Sequence, residues 1–438
     1  MNLSSEVSFM LIEKITFKYL RDFRCIAAAC PDTCCQGWGI GVNEDKFLAL
    51  SQVMVGVPGG LSELSEKVST TVHPDGRKRH AIRLTGTGSC QFLRGDRLCS
   101  LHARFGAQIL PQVCYHFPKI RFLVGQRWEV MASLACPETA RLCLLDPHAM
   151  NIVDLPDLPD QPACDDPSHC TRIDIHHSRP YFAHFDKVRG VLFVLGSLDR
   201  FPMASKLFMA CYFASHIGSF FHANQEDPMD HLLEREIAMI SSPTIRQQIH
   251  EQFMAIQVPQ QKCFEFVAII MNSGYSHSAS RDYSEMLARA MRTYGATMHQ
   301  GVCSVPLERI VEHYFKIKEF WQQEFGQELD QYQSHYFLNH IMGVPYLHNA
   351  NTLVYLRGVL IALAVIKFIL FGLLGCDPTS VPPTREERKK RLEETMVDTV
   401  QKFSKAIYHT PALLGQVERK LDEQGITTLP HMFFLLQF

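Results

Sequence analysis

Four cysteines stand within eleven residues near the N-terminus, as Cys25-Ile-Ala-Ala-Ala-Cys30-Pro-Asp-Thr-Cys34-Cys35. With a proline and small residues between them, four thiols so close in the chain can converge on one centre. Thiolate is a soft ligand that suits zinc or iron–sulfur chemistry. Downstream, Cys90, Cys99, Cys114 and Cys136 occur in the segments SCQFL, LCSLH, PQVCYHFP and ACP. Most stand beside a proline, glycine or aromatic, where the backbone can turn a sulfur toward a metal. The chain has 15 cysteines in 438 residues, and nine of them lie in the first 143. The N-terminal stretch MNLSSEVSFMLIEK lacks the charged-then-apolar order of a signal peptide, and the cysteine count is odd. In a reducing cytoplasm, where we expect this chain, clustered thiols bind metal or carry redox chemistry more often than they form disulfides.

The choice of metal follows from spacing. Zinc sites of four thiolates come as paired C-x2-4-C knuckles, and Cys30-x3-Cys34 supplies one without a matching second. Adjacent Cys34 and Cys35 are awkward for a knuckle, because successive side chains diverge. Ligands gathered from several loops over a hundred residues resemble those of an iron–sulfur cluster, expected as 4Fe–4S, with zinc as the alternative. The candidate ligands are Cys25, Cys30, Cys34, Cys35, Cys90, Cys99, Cys114 and Cys136; eight thiols serve two centres, or four as ligands and four as supports. His102 and His116 lie three and two residues from candidate cysteines; as a rule such histidines hydrogen-bond rather than ligate. Cys211, Cys263, Cys303 and Cys376 sit singly in or near helical segments and read as buried small hydrophobes.

Composition bounds the rest. At 46% hydrophobic and 20% charged the chain can bury a real core, and a length prior of roughly 150 residues per domain gives two or three domains. Lysine plus arginine is 43 and aspartate plus glutamate 45, for a net charge of −2, so no global basic field draws in nucleic acid. The fold class is mainly α. Residues 1–150 form an irregular cysteine-rich metal-binding region with short strands, in which RFLVGQRWEVMASL reads as a hairpin turning near Gly125-Gln126 and SLHARFGAQIL as a helix. Residues 151–180, rich in Pro, Asp and His, read as a linker or long loop. From residue 181 to 438 apolar residues recur at three- and four-residue spacing, as in SKLFMACYFASHIGSFF and LERIVEHYFKIKEFWQQEF, which predicts an all-helical domain. Pro383-Thr384 precede a long amphipathic helix.

Val354 to Gly375 is long and apolar enough to suggest a membrane span, yet it carries Arg357 and Lys367 with only nine residues between them. Central charges oppose insertion, and on a helix the two cations lie roughly 80° apart and share one polar strip. A buried core helix, without stable membrane insertion, is the expectation.

In this order, KITFKYLRDFRCIAAACPDTCC, SCQFL, LCSLH, QVCYHFP and SLACPETARLCL resemble the flagellin lysine-N-methylases, part of a wider group with a zinc- or iron-chelating CxxCxxCC-type region. HYFLNHIMGVPY and the apolar helix after it are also similar to that family's C-terminal half. The spacing here, x4 and x3 before the Cys34-Cys35 pair, is wider than the group's. The resemblance implies an enzyme that methylates lysine ε-amines of flagellin, its protein partner, with S-adenosylmethionine as donor. The usual methyltransferase hardware is missing. Gly56/Gly59/Gly60 and Gly86/Gly88 lack the context of a Rossmann loop. Asn339-His340 stands without the rest of a SET-domain signature, and Cys30-x3-Cys34 meets Gly37 where a radical-adenosylmethionine motif needs its third cysteine. The donor site and catalytic residues are therefore unassigned, and the sequence leaves homo-oligomer formation open. Two other readings compete: a zinc-stabilised flagellin-binding module, and a redox or metal-handling protein without methyl transfer.

Overall fold

The computed structural model describes residues 14–438 apart from 75, 156–169, 178–179, 223–228, 272–280, 297, 300–301, 304–306, 350, 378–380, 409–410, 424 and 426–427. Cys164, Asp165, Asp166 and His169 lie outside the described residues.

Strand β1 (Lys14–Phe17) leads directly into a helical turn at Lys18–Arg21. Three strands, β2 (Ile40–Val42), β3 (Val68–Val72) and β4 (Lys78–Ile82), form a small antiparallel sheet in the order β2-β4-β3. β5 (Lys119–Val124) and β6 (Arg127–Ala132) pair antiparallel with Val124 opposite Arg127, so Gly125 and Gln126 form the turn. Gly125 has φ +58°, a conformation that favours glycine in a tight hairpin. The predicted hairpin is therefore present at the predicted turn. β7 (Ile152–Asp154) and β8 (Thr171–Ile173), the described ends of the stretch read as a linker, complete a five-stranded mixed sheet ordered β7-β1-β6-β5-β8. The SLHARFGAQIL segment is an α-helix only over Ser100–Phe105, followed by a 3-10 turn at Ala107–Ile109. Gly106, at φ +81°, ends the α-helix and explains the difference.

The remainder is mainly helical, but Met298–His299 and Val302–Cys303 pair as a short antiparallel ribbon inside the stretch expected to be all-helical. Phe185–Gly196, Met203–His222, Met229–Ser241, Pro243–Ala255, Gln260–Ile270 and Arg281–Thr293 are followed by the 37-residue Leu307–Gly343, which breaks at Phe325 (φ −130°, ψ 29°). Thr352–Leu374 comes next, capped by Asn351, whose side chain accepts from the Val354 amide at 2.9 Å. It is long and apolar enough to cross a membrane, but 78% of its most apolar window is buried inside the protein. Its two cations meet different partners. Arg357 donates to Asp422 at 2.8 Å, whereas Lys367 lies over the Phe438 ring at 5.9 Å and burial pushes its amine down to about 7. Arg385–Tyr408, Pro411–Glu423 and Leu429–Gln437 complete the helical set.

One large apolar core runs from Ile15 to Phe438 and takes in β1, β5, β6 and the helices; a smaller one gathers Cys35, Ile40, Leu50, Met54, Cys90, Phe92 and Leu101. The larger core encloses a charged quartet. Glu129 on β6 has no exposed surface, and Arg189 grips it with two bonds of 2.6 Å while Arg127 donates to it at 2.9 and 2.6 Å. Both arginines also reach Asp186 (2.8 and 2.9 Å), so two cations balance two carboxylates. Burial alone raises the Glu129 carboxyl, but the two guanidiniums outweigh it and hold it below the ordinary value. Its contribution to stability is thus complete above the unfolded carboxyl value near 4.3 and is lost as pH falls through the folded one. Glu129→Ala leaves Arg189 buried without its main partner and should destabilise the fold by about 3–5 kcal/mol, measured as a lowered urea midpoint.

Candidate thiol site and adjoining cleft

Isolated strand-like bridges bring the separate cysteine segments together. Gln36 pairs with Ser89, Leu84 with Cys90, and Leu93 with Cys99, and the Cys90 amide donates to the Cys35 carbonyl at 2.7 Å. The result gathers four of the eight predicted thiols: the sulfurs of Cys34, Cys90 and Cys99 each lie beside that of Cys35. Cys114 lies beside them, close enough to feel the charges of Cys34, Cys90 and Cys99, and burial pushes its thiol up. Cys30 stands to one side with Cys25 and Cys34 as neighbours, and Cys136 neighbours Cys30. The gathering is around the sulfur of Cys35 itself. Among the described residues, no group of three His, Cys, Asp or Glu side chains is set to hold a metal ion. The donor set nonetheless fits a thiophilic centre: several soft thiols from four loops, three of them drawn toward thiolate by their contact with Cys35.

The electrostatics follow from this crowding. The Cys35 thiol is driven well up by its three sulfur neighbours, which it serves as the proton-bearing member. Contact with Cys35 holds Cys34 down to about 7 and Cys99 down to about 6. Cys99 also accepts from the amides of His102 and Leu101 at the start of the Ser100–Phe105 helix, and the nearby His102 ring favours its thiolate. Cys136 precedes the Pro137–Leu145 helix, and burial pushes it up to about 11. His116 is buried with its ring edge-on to Tyr115.

The cysteine loop is pinned by residues that sequence reasoning did not single out. Asp32, between Cys30 and Cys34, accepts from the Thr33 amide at 2.6 Å with one oxygen. Its other oxygen accepts from Gln401 (2.8 Å) and Lys405 (2.7 Å) on the Arg385–Tyr408 helix. Lys405 also reaches the Thr33 carbonyl, Gln401 the Ala135 carbonyl beside Cys136, and Trp38 donates to the Cys34 carbonyl at 2.6 Å. Trp38 is therefore a half-buried clamp on the loop, with its ring 5.6 Å from Phe117. The PDT turn between the cysteines was a visible signal for Asp32; nothing local marks partners 369 and 373 positions away. By contrast, Cys143, Cys211 and Cys263 are buried in the large core, Cys143 against Met150 and the His335 carbonyl. Asn339 accepts from Tyr19 and donates to the Ala132 carbonyl, and burial pushes the neighbouring His340 down to about 4, so this pair is a core fixture.

Beside the tether opens a cleft of about 690 Å³, walled by Pro31, Asp32 and Pro137 on the cysteine side and by the Arg281–Thr293 and Arg385–Tyr408 helices on the other.

These features define a mainly helical protein with a multi-loop thiol site docked on its body. Residues 198–435, more than half the chain, match the FliB lysine N-methylase C-terminal domain. The chain belongs to the FliB lysine N-methylase family. It is 29% identical over 136 residues to the flagellar biosynthetic protein FliU of Salmonella muenchen, a stretch covering 30% of this chain and 77% of that protein. Over the same length it is 29% identical to the lysine-N-methylases of Salmonella choleraesuis and Salmonella typhimurium, where the match spans 32% of each relative. No solved structure matches.

In reduced, metal-free protein at neutral pH, the exposed and thiolate-prone Cys34 should be alkylated early by iodoacetamide, while the buried, pushed-up Cys143 and Cys211 react only after unfolding. Peptide mass mapping over a time course gives the order.

Proposed function

We propose that this protein is a cytoplasmic enzyme that transfers methyl groups from S-adenosylmethionine to lysine ε-amines of flagellin, with the gathered N-terminal thiols holding an iron–sulfur cluster or, as the alternative, zinc. The observation that carries the reading is the family match over the helical body together with the convergence of Cys34, Cys90 and Cys99 on Cys35. The name of the Salmonella FliU protein, a flagellar biosynthetic protein, supports a flagellar substrate.

In the reaction the methyl–sulfonium bond breaks as the nitrogen–methyl bond forms, leaving S-adenosylhomocysteine, and the lysine nitrogen loses a proton. A free lysine, with a pKa near 10.4, must lose that proton before it can attack. A thiolate-held centre would supply a Lewis-acidic metal for the amino and carboxylate groups of the donor. Cys34, Cys35, Cys90 and Cys99 are the residues that would hold it, with Cys114 beside them and Cys25, Cys30 and Cys136 available to a second position. Asp32, Lys405, Gln401 and Trp38 fix the loop that presents Cys34 and Cys35, as supports of a ligand do.

The test is the intact mass of flagellin after incubation with donor and anaerobically purified protein, beside a metal-stripped control. Mass gain in methyl increments that disappears on stripping is the expected result. No gain by metal-replete protein would overturn the enzyme reading in favour of binding or redox handling. Cys90→Ser and Cys99→Ser should each lower bound metal and methyl transfer by at least about tenfold, while Cys376→Ser, remote from the thiol site, should change neither.

A further inference from the structure

We propose that the cleft between the cysteine loop and the Arg281–Thr293 and Arg385–Tyr408 helices is the docking site for a lysine side chain presented by a polypeptide. The inference rests on the methyltransferase reading and assigns the substrate side of that site.

Three observations lead there. The cleft has an apolar floor, made by Pro137, Leu145, Met286 and Val397, against which the methylenes of a lysine stem can lie. Above it stand carboxylates: Asp282, Glu285, Glu393, Glu394 and Asp398, with Asp32 in the wall. Four cations, Arg141, Arg289, Lys390 and Lys402, share the lining, and Lys405, Arg281 and Lys389 pair with Asp32, Glu285 and Glu393, which leaves Asp282, Glu394 and Asp398 as the carboxylates most open to an incoming ammonium. Several of the carboxylates are held only by pairs on the exposed rim, such as Lys402 to Asp398 at 2.8 Å and Lys390 to Glu394 at 4.0 Å. Exposed pairs of this kind are weak and exchange readily for an incoming ammonium.

The third observation is position. Asp32 lines the cleft and sits on the loop that carries Cys30 and Cys34, while Pro137 follows Cys136. A lysine entering here arrives beside the thiol site, and the tether of Asp32 to Gln401 and Lys405 keeps the two sides in register. The other large groove, about 880 Å³ along the Leu307–Gly343 helix, carries Lys318 and Lys367 beside Glu319 and Asp330, and none of the candidate metal-binding cysteines lines it. The four bases of the first cleft suit acidic or carbonyl groups flanking the lysine, which makes a polypeptide a better occupant than a free amine.

The test uses full-length protein and a fluorescent flagellin-derived peptide with one lysine, beside the same peptide with norleucine in its place. Binding by anisotropy should favour the lysine peptide. The exposed double substitution Glu394→Lys with Asp398→Lys should weaken it by at least about tenfold, with bound metal unchanged, while Glu308→Lys elsewhere on the surface should not. Asp282→Asn, which adds no charge, should weaken binding less. In turnover the double variant should raise KM and spare kcat. Equal binding of both peptides, or of wild type and double variant, overturns the cleft assignment. Methyl transfer with an unaltered KM in the double variant also rejects the cleft while leaving the enzyme reading intact. Selective, variant-sensitive lysine binding without any methyl transfer rejects the enzyme reading and keeps the cleft.

Discussion

The carboxylate of Glu129 has no exposed surface, and the architecture around it follows from keeping that charge satisfied. An ionised carboxylate in an apolar core is tolerated only when paired and fully hydrogen-bonded. Arg127 comes from the same strand, whereas Arg189 and Asp186 come from the Phe185–Gly196 helix. Satisfying the charge therefore fixes that helix against β6, the central strand of the five-stranded sheet, which β1 flanks in parallel and β5 antiparallel. The chain leaving β6 runs straight to Cys136. The quartet thus joins the cysteine-bearing region to the helical body through charge complementarity on top of apolar contact.

A second, smaller junction does the same for the thiols. The small core around Leu50, Met54, Phe92 and Leu101 is too slight to fix loops spread over seventy residues, so the cysteine segments rely on single bridges to one another. Asp32 then anchors the Cys30–Cys35 loop to Gln401 and Lys405. A half-buried carboxylate shared by an amide and an ammonium is rigid, because moving it breaks several bonds together. The cleft lies where this anchor meets the body, so the placement of the thiols and the shape of the cleft share one set of contacts.

Much of this was legible along the chain, and the reasons differ by element. Helical spacing announced Met203–His222 and Leu307–Gly343, because burial of one face writes itself into a local period. The break at Phe325 falls just before Gly326, a local signal that the strong apolar period around it masked, and the Phe325 ring stacks on Trp321. Gly125 marked its hairpin because few other residues adopt its backbone. The strand ends at Ile152–Asp154 and Thr171–Ile173 were hidden in a Pro- and Asp-rich stretch, since three-residue strands carry too little alternation to read. The role of Trp38 left no trace along the chain, because its partner, the Cys34 carbonyl, is a backbone atom with no sequence signature.

By itself, the sequence determined that this chain is mainly helical, that its cysteines crowd into the N-terminal third, and that the Thr352–Leu374 helix is a core element. Those properties are set by composition and by periods shorter than one helical turn or two. The tertiary structure decided which sulfurs meet, that Asp32 reaches Lys405 across 373 positions, and that a charged cleft opens beside the thiols. Such contacts join residues remote in the chain, and their specificity lies in three-dimensional packing and long-range charge pairing, which leave no periodic trace in a single sequence.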